Sequence, residues 1–238
     1  MPTFKVGDFT YKTLNEKEVL IGDDSGNDAN AVDKDKSYSK DIFIPNFVSY
    51  NNIRYAVTQV GRYAFHSVES KHFIIGRNIQ ILKVYAIFNP SVESILFEEG
   101  SKCYKIDNCG LSPPITKENF VFYLPSSLKE IHYRSIANVR KPIIIYYCGS
   151  SLINTATFKY ASMMTIYVSL KYPSNAQFMG VNPIVDDSIT CKFSPSIDKE
   201  NRRVSICNYF LKHICLANNS FITTLFCSTY SNNETKKK

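Results

Sequence analysis

The chain has 238 residues, a formal net charge of +7, 44% apolar residues and 21% charged residues. That balance fits a globular protein with a sizeable core, in one domain or two. The charge is uneven: from Cys191 onward eight Lys or Arg stand against three Asp or Glu, which gives +5 and leaves +2 for residues 1–190, too little for a nucleic-acid groove there. No window of about 18–20 residues is apolar enough to span a bilayer. Phe210 to Phe226 comes closest, but Lys212, His213, Asn218 and Asn219 interrupt it. The start, Met1-Pro2-Thr3-Phe4-Lys5 with Asp8 soon after, has no apolar stretch of the kind a signal peptide needs. Taken alone, this favours the cytoplasm. The absence of Trp beside 16 Tyr and 16 Phe suits a β-rich chain.

In chain order, residues 3–21 predict one or two strands, first around Phe4, Val6 and Phe9, then over Val19-Leu20-Ile21. Gly22 to Lys36 is acidic and aperiodic, and predicts a loop. Phe47-Val48-Ser49-Tyr50 and Ile53-Arg54-Tyr55-Ala56-Val57 flank Asn51-Asn52. Asn tolerates positive φ, so a tight hairpin is expected. Residues 1–58 then form an N-terminal β cap.

A repeat follows over residues 59–185. A small residue and an apolar one recur at Ala64-Phe65, Ala86-Ile87, Gly110-Leu111, Ser135-Ile136 and Thr157-Phe158. An aliphatic sits four residues earlier each time: Val60, Leu82, Ile106, Ile131 and Ile153. Subtraction gives steps of 22, 24, 25 and 22 residues, the range of stacked arrays. Apolar-x-apolar triplets run in step at Ile42/Ile44, Phe73/Ile75, Ile95/Phe97, Phe122/Leu124, Ile143/Ile145 and Ile166/Val168. Each triplet predicts a short strand with one buried face. Pro45 and Pro125 end two of them, because proline has no N–H to extend a ladder. A small residue in each unit predicts close packing between coils. One unit cannot bury its own core, so neighbours must stack. The reading is a mainly β solenoid of roughly five to six short units. An irregular β-rich domain whose strands imitate a period is the alternative. After about Asp186 the repeat fades, and residues 186–238 are a basic, Cys-containing tail, either a cap or mobile.

The seven Cys are 103, 109, 148, 191, 207, 215 and 227, an odd number, so one thiol is left over if all pairing is internal. Cys103 and Cys109 fall within one coil and read as small core residues. Cys207, His213, Cys215 and Cys227 are donors zinc accepts, but their spacing fits no common zinc pattern, and no metal is expected. Tail disulfides are conditional on an oxidising compartment. His66, His72 and His132 have no nucleophile or carboxylate partner proposed by any motif, so neither catalytic residues nor a cofactor is expected. Asp23-Asp24 through Asp35 lacks the regular calcium-loop pattern and reads as a solvated loop. Asn218-Asn219-Ser220 and Asn233-Glu234-Thr235 are glycosylation sequons, and Lys236-Lys237-Lys238 reads as a solvated end. The better lead is aromatic. Tyr63, Tyr85, Tyr133, Tyr146, Tyr147 and Tyr167 lie near strands or the segments after them. Tyr offers contact area with a polar tip, which suits an exposed binding face for a protein ligand. Partly buried packing residues are the plainer reading of the same tyrosines.

Val60-Gly61-Arg62-Tyr63-Ala64-Phe65 and Phe122-Tyr123-Leu124-Pro125-Ser126-Ser127-Leu128-Lys129-Glu130-Ile131 carry a further signal. They match I-G-x-x-A-F and I-x-L-P-x-S-L-x-x-I, two parts of the repeat of BspA-like leucine-rich-repeat surface proteins, which the chain resembles. Ile95-Leu96-Phe97-Glu98-Glu99-Gly100-Ser101 is similar to that family's F-x-x-G-S variant. Ile166-Tyr167-Val168 with Tyr172-Pro173-Ser174 looks like a degenerate last unit. The opening, with Phe9-Thr10-Tyr11 and later Pro45-x-x-Val48-x-Tyr50, is similar to the family's lead-in. The likeness covers about residues 40–185. Gly110-Leu111, Thr157-Phe158 and Leu82-Lys83 depart from the pattern. The resemblance implies a leucine-rich-repeat-type solenoid serving adhesion or recognition at a cell surface, with a protein or matrix component as ligand. An intracellular leucine-rich-repeat scaffold that binds a partner protein is the alternative.

Overall fold

In the computed structural model, residues 1–27, 29–32, 41–89, 91–113, 117–153 and 157–194 are described. The chain divides into two compact units, Met1–Phe193 and Ser194–Lys238, and the fold below is that of the first. Its strands are β1 (Thr3–Val6), β2 (Phe9–Thr13), β3 (Glu18–Ile21), β4 (Ile42–Ile44) and β5 (Phe47–Tyr50). They continue with β6 (Ile53–Val60), β7 (His72–Ile75), β8 (Ile81–Leu82), β9 (Ser94–Phe97) and β10 (Lys105–Ile106). The last are β11 (Phe120–Leu124), β12 (Glu130–Ile131), β13 (Ile143–Tyr147), β14 (Met164–Val168) and β15 (Ile184–Val185). A three-residue 3-10 turn, Ala161–Met163, leads into β14. The molecule is mainly β, as the residue pattern predicts.

Three parallel rows run through it. In the first, β4, β7 and β9 form one sheet, and β11, β13, β14 and β15 form another. The second row is β3, β6, β8, β10 and β12, each parallel to the next. The third is a ladder of single bridges, Ile87 to Leu111 to Ile136. Between bridges the backbone carries it on: Phe65 N–H donates to Ala86 O at 2.9 Å, Ile87 N–H to Gly110 O at 3.1 Å, and Leu111 N–H to Ser135 O at 2.9 Å. Each segment is thus tied to the segment one sequence period away.

The core lies between the rows. All twelve triplet residues are buried, as are Val60, Leu82, Ile106, Ile131 and Ile153. Burial of each such side chain contributes about 1.5–3 kcal/mol. The small column, Ala64, Ala86, Gly110 and Ser135, is buried too. The fifth member, Thr157, is exposed, while Phe158 beside it is buried. Gly110 replaces Ala for a steric reason: a Cβ there would stand 2.9 Å from Ile106 Cγ2 and 3.1 Å from Asp107 O. Gly76 is fixed more firmly, since its Cβ would lie 2.5 Å from the Ile44 carbonyl oxygen, an atom of the backbone.

The antiparallel additions sit at the start of the second row. β1 and β2 pair with each other, and β2 with β3. β5 pairs with β6 through Asn51 and Asn52, whose φ values are 49° and 62°. That is the hairpin chemistry read from the two asparagines. Polar ties bind the first row where its strands end. Asn46 Nδ2 donates to Glu98 Oε2 at 2.6 Å, Arg77 N–H donates to the same oxygen at 2.8 Å, and Asn78 N–H donates to Asn46 Oδ1 at 3.0 Å. Glu98 is buried and thereby satisfied.

Candidate interaction surfaces

Period-2 alternation sets what the first row shows to solvent. In β11, β13 and β14 the even-numbered Phe120, Phe122, Leu124, Met164, Ile166 and Val168 face inward, with Ile143, Ile145 and Tyr147 of β13. The residues between them face out. Parallel register then aligns Tyr123 with Tyr146 and Tyr146 with Tyr167. Their rings stack at centroid distances of 5.2 and 4.9 Å, with interplanar angles of 11° and 19°. Tyr167 in turn pairs with Ile184, which is 48% exposed. Beside this column runs a second one, Val121, Ile144 and Thr165. In the other sheet Phe43, Ile74 and Leu96 make the corresponding column, in which Ile74 is buried and Phe43 and Leu96 are partly exposed. Ion pairs lie before the strands: Lys71–Glu93 at 2.7 Å and Lys141–Glu118 at 2.9 Å. The columns themselves bear no charge, a composition typical of the centre of a protein interface.

Tyr147 is the exception among the expected exposed aromatics. It is fully buried, with an edge-on contact to Tyr172 and a tilted one to Phe178. Ile143 and Ile145 fix the inward parity of β13, so a residue two further on must point inward as well. Tyr123 belongs in the exposed column instead, and its place opposite Tyr146 was present in the triplet register.

Tyr63 and Tyr85 occupy another surface, the turns of the third row. Both have positive φ, 53° and 54°, as does Cys109 at 54° one step further on. This conformation is costly for non-Gly residues and holds only where the surroundings fix it. Here the backbone does so: Tyr63 N–H donates to Val84 O, Tyr85 N–H to Asn108 O, and Cys109 N–H to Arg134 O, at 3.1, 3.2 and 2.8 Å. The two tyrosine rings stack at 4.9 Å. His66 stacks on Phe88 at 5.1 Å, and Phe88 meets Tyr85 edge-on at 5.2 Å. The Tyr85 hydroxyl is pushed above its ordinary range, first by its hydrogen bond with Cys109, then by that thiol's charge, burial and Tyr63, with Arg134 opposing. Tyr133, 37% exposed, lies on the same ridge with His132 at 4.6 Å and the Arg134 guanidinium 5.2 Å from its ring centre. The six tyrosines therefore fall into two surface groups and one core residue.

The thiols divide similarly. Cys103 and Cys109 are free and buried, and burial pushes the Cys103 thiol up to about 12. Cys148 and Cys191 form a disulfide across 43 positions of sequence. It joins the repeat to the residues after it, a link no spacing announced. Cys207, Cys215, Cys227, His213, both sequons and Lys236–Lys238 lie outside the described residues. His72, for which the sequence offered no partner, has Nδ1 2.8 Å from Ser94 Oγ. Among the described residues no group of three His, Cys, Asp or Glu could hold a metal ion. Also among them, no helix is long and apolar enough to cross a membrane.

The chain matches no protein-family profile and no curated protein. The crystal structure of the pneumococcal vaccine antigen PcpA is similar in fold, with a TM-score of 0.51 at 14% identity. The likeness covers 84% of this chain and 51% of that one, so the chain spans about half that antigen's length.

Proposed function

We propose that the chain is a non-enzymatic protein-binding module that serves adhesion or recognition at a cell surface. Its fold in this reading is a leucine-rich-repeat-type solenoid of five to six short units, related to the BspA-like surface proteins it resembles in motif. The observation that carries the reading is the uncharged column Tyr123–Tyr146–Tyr167–Ile184 on the outward strand face. Stacked tyrosines hold one another in place, so little side-chain entropy remains to be lost on docking. The Lys141–Glu118 ion pair stands where β11 and β13 of the same sheet begin, a polar edge to this uncharged face. The Cys148–Cys191 disulfide supports an oxidising compartment over a reducing one, and so an extracellular site over an intracellular scaffold. The fold likeness to a vaccine antigen is consistent with the same placement.

Two measurements test it together. Protease treatment of intact cells bearing a tagged copy should cleave the chain without lysis; protection until lysis would reverse the localisation. The 238-residue chain with Tyr123, Tyr146 and Tyr167 all changed to Ser should lose about tenfold or more of its binding to immobilised extracellular-matrix extract. Unaltered binding by that variant would remove the strand face from the reading.

A further inference from the structure

The turns of the third row carry mostly positive charge. Five consecutive turn segments, residues 61–67, 83–88, 107–111, 132–137 and 157–163, contain Arg62, Lys83, Arg134 and Lys159 together with His66 and His132, against one acid, Asp107. Two charges in this set are already neutralised. Lys83 Nζ pairs with Asp24 Oδ2 at 2.8 Å, and Asp107 with Lys105 at 3.7 Å. Arg62, Arg134 and Lys159 remain exposed on the ridge. The segments are consecutive in space as well as in sequence. The N–H groups of Tyr63, Tyr85 and Cys109 each donate to the next turn, and Lys159 N–H continues to Tyr133 O at 3.0 Å. With about 4.8 Å per step, the ridge from Arg62 to Lys159 is about 19 Å long. The Arg134 guanidinium stands 5.2 Å from the Tyr133 ring centre, so its charge lies over an aromatic of the ridge and not apart from it.

We propose that this ridge binds an extended anionic polysaccharide, with sulfate or carboxylate groups on the arginines and lysine and sugar hydroxyls on the tyrosines. The match is one of donors to acceptors. Guanidinium N–H, ammonium N–H and phenol O–H all donate, whereas sulfate and carboxylate oxygens only accept. A row of periodic turns suits a periodic polymer, whose successive anions meet successive turns. A nucleic acid fits less well. Its bases need open ring faces to stack on, while Tyr63 and Tyr85 face each other at 4.9 Å and His66 faces Phe88 at 5.1 Å. Acidic glycans are also the polyanions of the oxidising compartment in which a disulfide persists. The ridge is a different surface from the strand face of the proposed protein-binding reading, so either can fail without the other.

The test uses the full chain and a heparin-derived octasaccharide at physiological salt. Three proteins are compared: the wild type, the ridge variant Arg62→Ser/Arg134→Ser, and a charge-matched control, Lys17→Ser/Lys171→Ser, two exposed lysines outside the five turn segments. The wild type should bind with an affinity that falls as salt rises. Removing the ridge arginines should weaken binding about tenfold or more, since one charge-assisted hydrogen bond to an anion is worth about that factor. The control should change it by about twofold or less. Bound octasaccharide should also protect Arg62 and Arg134 from phenylglyoxal. Equal weakening in the two variants, or binding that leaves both arginines unprotected, would overturn the assignment by placing the ligand elsewhere. Equal or tighter binding of a single-stranded DNA of matched charge would overturn the choice of polysaccharide, and no binding at physiological salt would overturn the site. Both variants change exposed side chains, so thermal midpoints close to wild type are expected and check that folding is intact.

Discussion

Ser135 shows how one atom can be out of place in a well-packed row. It is the fourth member of a column that begins Ala64, Ala86, Gly110, and its hydroxyl is buried without a hydrogen-bond partner among the described residues. A buried polar group left unpaired costs about 1–3 kcal/mol. Ala at this position removes that cost and leaves only a small void. The variant Ser135→Ala is therefore expected to be more stable by about 1 kcal/mol in urea unfolding with an unchanged slope. A loss of stability would mean that the hydroxyl has a partner in solution, such as a trapped water.

One of the polar contacts between elements reports on pH. Asp24 follows β3 and Lys83 follows β8, and their ion pair spans 59 positions of sequence. Burial raises the Asp24 carboxyl, but the Lys83 hydrogen bond, the Arg62 N–H and the Lys83 charge together outweigh it and hold the group below its ordinary value of 3.8. A carboxyl lowered on folding stabilises the folded state above its unfolded value. The gain disappears as pH falls through 3.8 and the lowered folded value. The wild type should exceed Asp24→Asn by about 1 kcal/mol at pH 7, with the gap closing below about pH 4. Urea midpoints across that range decide it; a gap independent of pH would mean that the charge contributes nothing. The same scale shows what was legible in the chain. The inward triplets and the aliphatic column were readable because both follow the strand period and recur in step. Tyr147 lies inside because parity, fixed by Ile143 and Ile145, outranks residue type. Thr157 fits the small column by size yet is exposed, since size does not report exposure. The stacking of Tyr63 on Tyr85 comes from turns that meet only when the segments stack, and no local pattern encodes it.

At the scale of the molecule, the parallel rows give each segment near neighbours, and among the described residues the disulfide is a covalent tie across 43 positions of sequence. Closing a loop of 43 positions restricts the unfolded chain, a term of about 4 kcal/mol in the chain-entropy account. Cys148→Ser/Cys191→Ser should therefore unfold at a lower urea concentration, with a loss of up to about 4 kcal/mol. Dithiothreitol should reproduce that loss in the wild type and leave the double variant unchanged. Equal midpoints for the two proteins would mean that the bond is absent in solution or closes no effective loop.

The disulfide also decides how the chain bears force. When the two ends are pulled apart, tension arriving at Cys191 passes through the two sulfurs to Cys148 and onward to the N-terminus. The segment between them, which includes β14 and β15, is a side loop off the load path. Tyr167 and Ile184 lie on that loop, so the C-terminal half of the tyrosine column stays slack while the rest of the chain is stretched.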